Sequence, residues 1–138
     1  MKIYEFSQPF YPFRLMACVG ADAIRGFFEV DCDTLEDNCP AMTACRVTVK
    51  GGENAVLFRF RNADAIEFVN VAHECGHMGI DVFEYIDSPI NESSSEAFCY
   101  LIGWAGGCLG WLKEKLSGKG RKYGQYAGKV IYDTDIPK

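Results

Sequence analysis

Histidine is scarce in this chain: two in 138 residues, with five prolines and two tryptophans. No apolar run approaches the roughly 20 residues of a membrane-spanning helix, so no span is expected. The N-terminal Met1-Lys2-Ile3-Tyr4-Glu5 lacks the apolar core of a secretory signal. The chain is therefore expected to remain in the cytoplasm where it is made. Its seven cysteines, Cys18, Cys32, Cys39, Cys45, Cys75, Cys99 and Cys108, are odd in number and form no Cys-x-x-Cys pair. That speaks against a disulfide framework and for reduced thiols. The spacing of Cys32, Cys39 and Cys45 matches no standard zinc knuckle, and Cys75, Cys99 and Cys108 are expected to be small buried hydrophobes. Internal repeats and long linkers are also missing, and a net charge of -5 makes nucleic acid an unexpected partner.

What is present is ordinary globular material, 49% hydrophobic and 24% charged, enough for one domain over residues 1–138 with a continuous core. Residues 3–6 and 13–19 are short β-rich runs, and 21–28 reads as a helix or a third strand, with helix favoured. Residues 31–40, with Asp31, Asp33, Glu36 and Asp37, have loop composition and do not fit the ligand order of a calcium loop. Two more β-rich runs, 44–49 and 55–60, flank Lys50-Gly51-Gly52-Glu53-Asn54 and predict a hairpin.

Asn62 is a candidate N-cap for a helix over 63–86, which Ser88-Pro89 stops. Asn91 can cap a second helix to about 116, with an interruption or kink expected near Gly103, Gly106 and Gly107. From Ser117 the chain is rich in glycine and lysine, with Arg121, Lys122, Tyr123 and Tyr126, and reads as a partly flexible basic tail ending in a short strand near 130–132. The class is α+β: a small antiparallel or mixed sheet with two long helices.

Both histidines fall in one five-residue segment, His73-Glu74-Cys75-Gly76-His77, inside the first predicted helix. Residues four apart share a helix face, so two imidazoles can close on one metal ion. In sites of this kind zinc lowers the pKa of a bound water to about 7, and the glutamate beside the first histidine accepts its proton during attack on a carbonyl. With no third histidine, a further ligand must be a carboxylate or a thiolate. Glu92, Glu96 and Tyr100 recur every four residues at the start of the second helix. If the first helix runs to 86, His77 lies about 13 Å back from its end, and Glu96, one turn deeper than Glu92, comes nearer to that level.

The segment resembles the gluzincin branch of the zincin metallopeptidases, in which a glutamate on a second helix completes the zinc site of His-Glu-x-x-His. Asn91-Glu92-Ser93-Ser94-Ser95-Glu96 is similar to the Asn-Glu-x-x-Ser-Asp segment of thermolysin-like enzymes, which would make Glu92 the ligand and Glu96 its supporting acid. Eighteen residues between His77 and Glu96 resemble instead the aminopeptidase-type spacing, and Ser95-Glu96-Ala97-Phe98-Cys99 resembles the Asn-Glu-Gly-Phe-Ala segment of those enzymes. Glu96 is the favoured ligand and Glu92 the alternative. Tyr100 is either an oxyanion donor or a core aromatic.

The resemblance covers about residues 63–105. Its implications are a minimal zincin-like core similar to zincin-like proteins of phages and mobile elements, one Zn2+ per chain, Glu74 as base, and hydrolysis of a peptide or protein substrate. An inactive zincin-fold binding or structural module is the competing expectation.

Overall fold

The computed structural model describes residues 2–8, 11–20, 39–48 and 54–133, with backbone only for 44–48. The predicted helix over 21–28 and most of the acidic 31–40 segment lie outside the described residues. The architecture is α+β, with five strands among the described residues, β1 (Lys2–Phe6), β2 (Arg14–Val19), β3 (Ala41–Thr48), β4 (Asn54–Phe60) and β5 (Lys129–Asp133), together with α1 (Phe68–Tyr85) and α2 (Ser95–Ser117). Strand order is β3-β4-β2-β1-β5. β2 and β4 run parallel, whereas the β1–β2, β1–β5 and β3–β4 pairs are antiparallel, so the sheet is mixed.

The central strands are buried on both faces, which is why they read as near-continuous apolar runs instead of alternating. Tyr4, Phe6, Leu15, Ala17, Val56, Phe58 and Phe60 join the core cluster that the helices cover. Ile3, Met16, Cys18, Leu57 and Arg59, the intervening residues, are buried as well. The predicted hairpin is the β3–β4 pair, in register from Ala41 opposite Phe60 to Thr48 opposite Asn54, with an irregularity between Ala44 and Val47.

The first helix divides where the sequence suggested one run. Asn62 accepts a hydrogen bond from the Ala65 backbone N–H and caps a short 3-10 turn, Ala63–Ala65. Ile66 then drops into the core, and α1 begins afresh after Glu67. Cys75, Met78, Gly79, Val82 and Phe83 form its buried stripe at helical spacing. At the other end Ser88 N–H donates to the Phe83 carbonyl and Asp87 N–H to Glu84, a Schellman closure that holds Asp87 at φ 56. Pro89 follows at once. Asn91 is not the cap of α2: it accepts from the backbone N–H groups of Ser93 and Ser94 and closes the turn ahead of the helix, whose N-cap position is Ser94, without a side-chain capping bond.

α2 is one continuous helix of 23 residues; its glycines do not break it. They make room for rings. A Cβ on Gly107 would lie 2.7 Å from the Tyr126 ring, and one on Gly110 would lie 2.9 Å from that of Tyr123. On its inner side Leu101, Ala105, Cys108, Leu109 and Leu112 are buried, and Trp111 meets Tyr4 and Phe6 edge-on, at 5.9 Å from each. Gly118, at φ 68, ends the helix, and the Glu114 carboxylate accepts from the backbone N–H groups of Lys122 and Tyr123. The stretch read as a tail thus turns back, and β5 pairs with β1 through Asp133. Among the described residues no helix is long and apolar enough to cross a membrane.

The two kinds of glycine in α2 should respond oppositely to alanine. Gly107→Ala or Gly110→Ala must displace a tyrosine ring, for a net loss of about 1–2 kcal/mol once alanine's helix propensity is credited. Gly106 faces open space, so Gly106→Ala should gain about 0.5–1 kcal/mol. Urea midpoints of the three variants check both signs.

Candidate metal site on the first helix

Helix periodicity sets the direction of every motif residue, because each step turns the chain by about 100°. With Cys75 facing the core, His73 and His77 point outward and are exposed. Their Nε2 atoms converge to 3.1 Å. Two nitrogens each about 2.0–2.1 Å from a tetrahedral zinc stand about 3.3–3.4 Å apart, so the pair fits a shared ion. Val69 and Ile80 continue the same stripe one turn to either side and are also exposed. The histidines therefore sit in an apolar strip where an ordinary surface helix carries charge.

Glu74 is turned to the flank against β3 and is 6% exposed. A carboxylate buried this far requires hydrogen bonding. The Thr43 hydroxyl provides it, lying 2.6 Å from Oε2 and 3.1 Å from the Glu74 carbonyl oxygen. The other carboxylate oxygen, Oε1, is 3.9 Å from His73 Nε2. Three groups are thus assembled at one point: two ring nitrogens facing solvent, and a fixed carboxylate behind them. Thr43 was not legible as a site residue, since 31 positions separate it from Glu74 and no local motif includes it.

The carboxylates of the second helix are placed differently. Among the described residues no third His, Cys, Asp or Glu joins the histidine pair in a group able to hold an ion. The reason lies in how the helices cross. α2 meets α1 through Phe98 and Ile102, whose side chains come within about 3 Å of where a Gly79 Cβ would stand. Glu96 is two residues, or about 200°, away from Phe98, so it lies on the exposed side of α2. Glu92 is exposed in the turn before the helix. Tyr100 is 74% exposed and is not the core aromatic that one reading expected. It lines an open groove with Glu96, Cys99, Gly103, Trp104 and Tyr126.

The cysteines also divide. Burial, helped by the charge of Glu74, pushes the Cys75 thiol up to about 12. Burial and then Cys75 push Cys108 to about 12, against a lowering contribution from a backbone hydrogen bond. Both behave as the buried hydrophobes expected of them. Cys99 does not: it is exposed on α2. Of the Cys32, Cys39 and Cys45 trio only the Cys39 side chain is among the described residues, and its thiol donates to the Ala41 carbonyl.

No protein-family model, curated protein or solved structure matches this chain. The functional reading therefore rests on the chain's own residues.

The thiols offer a direct check of this arrangement. Iodoacetamide at pH 8, followed by peptide mapping, should label Cys99 readily and reach Cys75 and Cys108 only as fast as the fold opens. Because unfolding lets these two thiols ionise above their ordinary value of 9.0, the stability they contribute is whole below that pH and is lost as pH climbs toward 12.

Proposed function

We propose that the protein is a zinc-dependent metallopeptidase of the gluzincin type, with His73 and His77 as ligands, Glu74 as general base and Glu96, or alternatively Glu92, as the third ligand. One conjunction carries the reading: ring nitrogens 3.1 Å apart beside a buried carboxylate with an oxygen 3.9 Å from one of them. A zinc ion bound there would supply Lewis acidity to a water and to the scissile carbonyl. Glu74 takes the proton of the attacking water and returns it to the leaving amine. Burial keeps that carboxylate from being dispersed in solvent contacts.

β3 lies at an edge of the described sheet, against α1, and an extended peptide can add to it by main-chain pairing. Val69 and Ile80 suit apolar side chains of such a peptide. The competing reading, a zincin-fold module of a phage or mobile element without turnover, is favoured by the lack of a third donor beside the histidines among the described residues. Against it stands Glu74, because an ion that only braces the fold needs no buried, hydrogen-bonded base next to its first ligand.

Elemental mass spectrometry of purified protein should find about one zinc per chain in wild type and in Glu74→Gln, and none in His73→Ala or His77→Ala. Glu74→Gln should lose peptide hydrolysis by a factor of about 10²–10⁴ while keeping its metal. Turnover in that variant would remove Glu74 as the base. Glu96→Ala should lower zinc occupancy more than Glu92→Ala does; the reverse order would move the third ligand to Glu92.

A further inference from the structure

The peptidase reading leaves open what keeps the base pointing the right way, and the inference that follows rests on that reading. A glutamate has three rotatable side-chain bonds, and a carboxylate free to turn would present either oxygen, or neither, to the histidine pair. In this chain one oxygen is taken. The contact from Thr43 Oγ1 to Glu74 Oε2, at 2.6 Å, has the length of a hydroxyl bond to a charged oxygen. The hydroxyl has a single proton, so the Glu74 carbonyl at 3.1 Å is at best a weaker sharer of it. Oε1 is left as the oxygen on the histidine side, 3.9 Å from His73 Nε2.

We propose that Thr43 is a positioning residue for Glu74: its hydroxyl clamps Oε2 so that Oε1 stays aimed at the space beside the His73–His77 pair. Thr43 touches neither the histidines nor the reacting atoms. It acts through Glu74 alone. Its place on β3 gives the clamp a further consequence, because the strand that would align an extended peptide is also the strand that fixes the base. Substrate register and base orientation are thereby referred to one piece of backbone.

The alternative to exclude is a plain structural tie between α1 and β3. Zinc-loaded full-length protein would be assayed with a quenched fluorogenic peptide, comparing wild type with Thr43→Val, with Thr43→Ala as a second hydroxyl-free variant, and with Thr43→Ser, which restores the hydroxyl. Positioning predicts that kcat falls about 10- to 100-fold in the hydroxyl-free variants, with KM within about twofold and zinc per chain unchanged by elemental analysis. Thr43→Ser should return to within about threefold of wild type. Undiminished kcat in Thr43→Val and Thr43→Ala would overturn the role while leaving the peptidase reading intact. Loss of zinc, a rise in KM matching the fall in kcat, or a serine variant as poor as valine would assign Thr43 to structure and overturn it too. Wild type that holds zinc yet cleaves no peptide would overturn the peptidase reading and the positioning role with it.

Discussion

Burial of one side of α1 is the constraint on which the candidate site depends. Cys75, Met78, Gly79, Val82 and Phe83 must face the sheet and α2, since they are the apolar material that closes the core there. Once Cys75 points inward, its neighbours have no freedom left. His73 and His77 are carried to the outer face together, and Glu74 is carried to the flank beside β3. A shift of the buried stripe by one residue toward the N-terminus would place His77 in the core together with Glu74. The chemistry of the motif is therefore set by packing that involves none of its three polar residues.

The same economy governs α2. Its inner stripe, Leu101 to Leu112, covers the sheet, and Trp111 braces β1 through Tyr4 and Phe6. Elsewhere along the helix Gly107 and Gly110 admit Tyr126 and Tyr123 at a distance no Cβ would allow. The rings in turn place residues 124–126 so that β5 reaches the free edge of β1. Glu114 fixes the reversal by satisfying two backbone donors of the turn with one carboxylate. A segment that looks in composition like a loose basic end is held by contacts made to small residues.

Some of this was legible in the sequence. The β3–β4 hairpin announced itself through two β-rich runs around a glycine pair, and the helix pair through its apolar spacing, with Ser88-Pro89 between. The histidine pair needed only helical geometry. Other features depend on distant partners, and no local pattern encodes them. Ile66 breaks the first helix because a core position captures it; Asn62 alone cannot tell a 3-10 turn from an α-helix. Gly107 reads as a helix breaker until Tyr126 is seen lying on it. Parallel pairing of β2 with β4 joins residues about forty apart. The Thr43–Glu74 bond is of the same kind. Exposure of Cys99 and Tyr100 also escaped a reading that counts apolar residues as core.

The remaining question is energetic: how a carboxylate on the outer side of α2 could serve an ion held on α1. The crossing of the two helices is firm where Phe98 meets Phe83 edge-on, with ring centroids 5.3 Å apart, and where Phe98 and Ile102 close on Gly79. The stretch before it is different. Residues 91–97 are exposed almost throughout, and their hydrogen bonds are largely local, from Asn91, Ser94 and Ser95. Rearranging this solvated stretch forfeits little buried area. The metal site proposed here would thus be half preformed, its histidine pair fixed by the core and its carboxylate on a part of the chain that the core does not hold.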